Sequence, residues 1–77
     1  MNFYCAMDAI KIIQKCEEKQ IKILGFDSFR ISDNHIQPFM EYSPNYSDLP
    51  QEMTWGRAIE DINSYSDLGF VFEIVYE

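Results

Sequence analysis

The chain has 77 residues and carries a net charge of −7, with 47% of its residues hydrophobic, among them six Phe, five Tyr and one Trp. That length supports one domain, residues 1–77, which buries only about 60–65% of the surface its unfolded chain would expose; a deep catalytic cleft is hard to build at that size. Such apolar content rules out a disordered tail, and the charge argues against direct nucleic-acid binding, which needs lysine and arginine facing phosphates.

The acidity is uneven. Residues 1–32 sum to about +1 and residues 33–77 to about −8, and no lysine or arginine stands between Arg30 and Arg57. An acidic surface of this kind suits solubility or steering toward a basic partner.

In chain order, the first element is a helix running from Phe3 or Ala6 to Lys19. Ala6, Ala9, Ile10, Ile13 and Cys16 keep the i, i+3, i+4, i+7 spacing, while Lys11, Gln14, Lys15 and Glu18 point away. Ile12 widens the apolar face, as expected for a helix lying on a sheet, and Asn2 or Asp8 is placed to cap its start. Cys5 and Cys16 fall on this helix about 16 Å apart at 1.5 Å per residue, too far for a disulfide. Both read as small buried hydrophobes in a reducing compartment. The N-terminal segment lacks a basic region and Asp8 interrupts its apolar run, so no secretory leader is expected. No stretch approaches the roughly 18 apolar residues of a membrane span, and a soluble, cytoplasmic protein with no membrane contact is expected.

Ile21 to Ser32 reads as a strand. Its alternation is broken at Leu24-Gly25-Phe26-Asp27, and a glycine inside a strand marks a bulge that changes which side chains face inward. Asp33-Asn34 is turn chemistry, and His35 to Tyr42 returns as a second strand to form a hairpin. Pro38 cannot donate to a ladder, so this strand lies at an edge or is interrupted there. Ser43 to Met53 reads as a loop. Thr54 is a candidate N-cap for a second helix in which Trp55, Ala58, Ile59, Ile62 and Tyr65 keep helical spacing to about Ser66.

Gly69 to Tyr76 is the last strand, with Phe70, Phe72, Ile74 and Tyr76 on one face and Val71 and Val75 on the other. Only Glu73 breaks its apolarity, which favours an interior position. The order α-β-β-α-β gives an α+β fold, a three-stranded sheet with two helices packed on one face. Two sheet orders are compatible with this pattern. With the first strand central all pairs are antiparallel; with the third central, it runs parallel to the second.

Chemistry-bearing residues are sparse. His35 sits alone in a turn, without the positioned partner that acid–base work requires or the further ligands that a metal requires. Cys16 has Lys15 and Lys19 nearby, but these belong to the wet helix face. Glu60 and Asp61 lie opposite the apolar stripe of the second helix as a solvated face. No phosphate loop, CxxC pair or HExxH motif is present. The expectation is a protein that is not an enzyme and takes no metal or other cofactor.

What remains is the acidic-aromatic segment from Phe39 to Trp55. It offers Glu41, Tyr42, Tyr46, Asp48, Glu52 and Trp55 as partner-binding residues, because interface hot spots favour Trp and Tyr and carboxylates add specificity for lysine or arginine. Tyr46, Asp48 and Glu52 fall outside any periodic apolar stripe, so little core packing is expected to depend on them. Trp55 fits core or interface equally well. A long loop in so small a domain favours function somewhere along it.

The segment Ile23-Leu24-Gly25-Phe26-Asp27-Ser28-Phe29, followed by Ile36-Gln37-Pro38 and Glu41-Tyr42-Ser43, resembles the immunity proteins of bacterial polymorphic toxin systems, specifically the immunity protein 40 family. With Trp55 and Phe72 to Ile74 the resemblance spans most of the chain. It implies a cytosolic inhibitor that binds a cognate toxin and blocks its active site or another essential surface, and it carries no catalytic residues. The partner so implied is a basic toxin domain, for example a nuclease whose substrate cleft an acidic protein can plug. Two other readings stand beside it. One is a small regulatory or ligand-sensing domain that oligomerises through its sheet edge; the other is a phage-encoded inhibitor of a host nuclease. A toxin gene immediately upstream separates immunity from regulation. Oligomeric state is not readable at this level.

Overall fold

The computed structural model describes residues 2–77. A first helix, α1 (Ala6–Glu18), is followed by strands β1 (Ile23–Ser32) and β2 (His35–Pro38) and a short 3-10 turn over Met40–Tyr42. A second helix, α2 (Gln51–Tyr65), a 3-10 turn over Ser66–Leu68 and strand β3 (Val71–Tyr76) complete the chain. The fold is α+β as the pattern predicts, with both helices on one face of a three-stranded sheet.

The sheet order is β2-β1-β3, with both pairs antiparallel, so the two orders that the sequence left open resolve to β1 at the centre. β3 is not interior, contrary to what its apolarity suggested. Among the described residues, its far side pairs with Tyr4 alone, whose N–H and C=O exchange bonds of 2.8 Å with Phe72. The strand is apolar because Phe72 and Ile74 face the helices while Val71 and Val75, on either side of Glu73, face a second surface.

α1 buries Ala9, Ile13 and Cys16, as the spacing predicts. Cys5 occupies its N-cap position without a side-chain bond and is exposed, so neither Asn2 nor Asp8 caps the helix and only Cys16 is a buried thiol. The physical cause is the Tyr4–Phe72 pairing, which holds the chain extended until just before Ala6. Asp8 then falls within the first turn, where its charge favours the positive end of the helix dipole. At the other end Gln20 turns left-handed (φ 57°), Gln20 N–H bonds the Glu17 carbonyl at 3.1 Å and Ile21 N–H bonds the Cys16 carbonyl at 2.8 Å. This is a Schellman closure made without the usual glycine.

Gly25 is where β1 changes register, since Ile23 pairs with Tyr76 and Gly25 with Val75. The buried face of β1 therefore reads Ile23, Phe26, Ser28, a step of three before the period of two resumes. Only glycine fits: φ is 156°, and a Cβ here would stand 2.4 Å from the Pro44 carbonyl oxygen. That closeness lets residues 44–46 lie along β1, with Tyr46 N–H donating to the Leu24 carbonyl at 2.8 Å.

Asp33 and Asn34 both have positive φ (47° and 67°) between the paired Ser32 and His35, the two-residue hairpin geometry that matches strand twist. β2 is an edge strand and ends at Pro38, four residues short of the predicted Tyr42, because the chain turns into the 3-10 segment. α2 begins at Gln51 with Pro50 at its N-cap, not at Thr54. Thr54 lies in the first turns, fully buried, its hydroxyl donating to the Gln51 carbonyl (2.7 Å) and accepting from Ile23 N–H (3.3 Å). It satisfies a strand donor that would otherwise be buried without a partner.

Candidate functional site

The segment from Phe39 to Trp55 divides cleanly by chemistry, with aromatic rings inward and carboxylates outward. Trp55 is 5% exposed, and its indole N–H donates to the Ile21 carbonyl at 2.8 Å, so of its two possible roles the structure assigns the core. Tyr46 is 4% exposed and packs on Phe26 with ring centroids 6.2 Å apart. The expectation that little core packing depends on Tyr46 is therefore corrected. Its backbone is drawn against β1 through the opening that Gly25 leaves, and the ring has nowhere to go but in. Tyr42 is half-buried, 5.1 Å from both Tyr65 and Phe70.

The Tyr46 hydroxyl donates to the Asp61 carboxylate. Burial, and then this bond, raise the Tyr46 phenol well above its ordinary range. Asp61 is thus not a solvated-face residue as the helix pattern implied; it is half-buried and anchors the segment to α2. Glu60 beside it is exposed, as expected. At the segment's start, the Arg30 guanidinium bonds the Leu68 carbonyl (3.1 and 2.8 Å) and lies 5.0 Å from the Phe39 ring and 5.2 Å from that of Phe70. Lys22 Nζ donates to the Ser47 carbonyl at 2.8 Å, and Ser28 N–H donates to Ser43 Oγ at 3.1 Å. These bonds hold the loop against β1 along most of its length.

Glu41, Asp48 and Glu52 are all exposed. Glu52 and Glu60 line a shallow depression on the outer side of α2, with Leu49, Met53, Gly56 and Arg57. A larger groove, about 420 Å³, runs between the segment and the sheet. Met40, Ser43, Pro44, Asn45 and Ser47 form one wall; Leu24, Asp27 and Val75 belong to the other. Its existence depends on the same bulge that brings residues 44–46 to β1.

Two acids that the sequence reading did not single out meet across the sheet. Asp27 on β1 is paired directly with Glu73 on β3, and both are half-buried. The available signal was modest: each is the one carboxylate of its strand.

The remaining chemistry-bearing residues stay apart. His35 is exposed at the hairpin end. Burial raises the Cys16 thiol above its ordinary value, against the opposing pull of Lys19, which disfavours the thiolate. Among the described residues no three His, Cys, Asp or Glu side chains converge as a metal site, and every buried side-chain nitrogen or oxygen has a hydrogen-bond partner. No helix there is long and apolar enough to cross a membrane. The chain matches no family model and no curated protein.

Proposed function

We propose that this protein acts by binding a basic protein partner, as an immunity-type inhibitor that neutralises a cognate bacterial toxin domain. The observation that carries the reading is the division of the Phe39–Trp55 segment. Its rings turn inward, so the charge on its outward surface comes from Glu41, Asp48 and Glu52, beside the exposed Met40 and Met53, in a stretch of chain without a lysine or arginine. Carboxylates held on a braced backbone lose little freedom when they meet a cationic surface, which favours tight and selective contact. The resemblance of the Ile23–Phe29 and Glu41–Ser43 motifs to immunity proteins supports the same reading. Tyr46 and Trp55 then act as positioning residues for the acidic surface, and Tyr42 offers only its exposed rim.

The test is co-expression with a bacterial toxin domain encoded next to the gene, where one is found. Wild type should restore growth, while Glu41→Lys, Asp48→Lys and Glu52→Lys combined should not, although surface changes of this type cost only about 0.5 kcal/mol or less each in stability. The association rate should fall as ionic strength rises from about 0.05 to 0.5 M, because exposed charges are screened over that range. Full rescue by the charge-reversed variant, or a salt-independent rate, would overturn the assignment.

A further inference from the structure

The face of the sheet turned away from the helices is uncovered. Register places Phe29 beside Val71 and Pro38, and Ile31 beside Ile36, all on this side. Ile31 and Ile36 are each 51% exposed and Val75 is 41% exposed. Phe3 shields part of it, its ring lying edge-on to Phe29 with centroids 5.0 Å apart. In the middle of this apolar surface stand Asp27 and Glu73, directly opposed. Cβ atoms of such a pair are roughly 5 Å apart, and like charges there are destabilising.

Among the described residues, the lysine and arginine side chains are placed elsewhere. Lys11 and Lys15 lie on α1, Lys19 at its C-cap and Arg57 on α2, both helices packed on the opposite face. Lys22 is bonded to the Ser47 carbonyl, and Arg30 to that of Leu68 over the rings of Phe39 and Phe70. Two carboxylates at paired positions in an exposed apolar patch form an arrangement that an added cation suits. The groove of about 420 Å³ that opens beside Asp27, walled by Leu24, Met40, Pro44 and Val75, has room for a long cationic side chain. Its apolar walls suit the methylenes of such a side chain, with the Asp27 carboxylate in its lining and Glu73 at the paired position on β3 beyond it.

We infer that the open sheet face is a docking surface for a protein segment in which lysine or arginine side chains alternate with apolar ones, the cation meeting Asp27 and Glu73. A second copy of this chain fits poorly. Any two-fold contact centred on the face would set Asp27 and Glu73 against their own counterparts and double the repulsion. The inference goes beyond the proposed function, because it concerns a different surface and holds whether or not the partner is a toxin.

The probe is a synthetic peptide of alternating arginine and valine, titrated into the isotopically labelled full chain and followed by amide NMR shifts. A peptide of equal charge with serine in place of valine serves as control. The alternating peptide should shift Asp27, Phe29, Val71 and Glu73 most, and the serine peptide should bind far more weakly. Asp27→Asn with Glu73→Gln should weaken binding roughly tenfold or more, while Glu41→Gln, Asp48→Asn and Glu52→Gln combined should leave it nearly unchanged. The urea midpoint of the Asp27→Asn, Glu73→Gln variant should equal or exceed that of wild type, since repulsion is removed. Shifts centred on residues 41–52 or on α2, equal affinity for the serine peptide, or undiminished binding by the double variant would each overturn the inference. So would a lower stability of that variant, which would make the carboxylates part of the fold, or concentration-dependent shifts on this face without peptide, which would identify the occupant as a second copy.

Discussion

The two faces of the sheet are built from alternate residues of the same strands and are nearly equally apolar. On one side Phe26, Phe72 and Ile23 are closed under α1 and α2; on the other Ile31, Ile36 and Val75 remain in contact with solvent. Composition does not separate them. The difference lies in what covers each face, and the polar residues show it. The covered face satisfies Ser28 and Thr54 through bonds to the Tyr42 and Gln51 carbonyls. The open face sets two carboxylates side by side. A folded domain tolerates that opposition only where water, or a partner, reaches it.

The sharpest way to break this comparison is to truncate one residue on each side. Phe72→Ala should destabilise the protein by about 3–5 kcal/mol, because it opens a cavity among Phe26, Phe70 and the helices. Ile36→Ala should cost less than about 1 kcal/mol, since half its surface is already exposed. Urea denaturation of the two variants measures both, and similar losses would mean that the open face is covered in solution.

Gly25→Ala tests the joint between the faces. The left-handed φ and the close Pro44 carbonyl should together cost about 2–3 kcal/mol. Because residues 44–46 depend on this approach, amide exchange at Tyr46 should accelerate with the loss of its bond to Leu24.

A smaller effect than that of Gly25→Ala should come from Tyr46→Phe, which removes the bond to Asp61 and should cost about 1–2 kcal/mol, reduced from the buried-charge range because Asp61 is half-exposed. Tyr46 also gives the protein an alkaline limit. Its phenol, and that of Tyr65, are raised in the fold, chiefly by burial. A raised value means that the folded state holds the proton more tightly, so this stability is complete below the unfolded phenol value of about 10 and is lost as pH rises above it. Wild type should therefore weaken more steeply than Tyr46→Phe between about pH 10 and 12; parallel losses would remove Tyr46 as the cause.

Much of the fold is legible in the chain because it is set by near neighbours. The inward stripe of α1, the Asp33-Asn34 turn, the Gly25 bulge and the edge position implied by Pro38 each follow from a few adjacent residues. The candidate site was less legible. Its carboxylates at Glu41, Asp48 and Glu52 are on the surface as read, but Tyr46 and Trp55 were grouped with them on residue type alone. Trp55 is buried because its indole finds the Ile21 carbonyl, and Tyr46 because its hydroxyl finds Asp61. Neither partner lies within reach along the chain. Thr54 misleads in the same way: its hydroxyl suits an N-cap, yet a strand N–H from residue 23 claims it.

By itself, then, the sequence determined the element types, the hairpin, the bulge and the α+β class, since backbone preferences and hydrophobic period act over one or two turns or a few strand residues. Tertiary structure alone decided that β1 is central, that Tyr46 and Trp55 belong to the core, and that Asp27 faces Glu73. Each of these joins residues 15 to 53 positions apart, where the outcome depends on which surfaces find cover first in a shared core and not on any local preference.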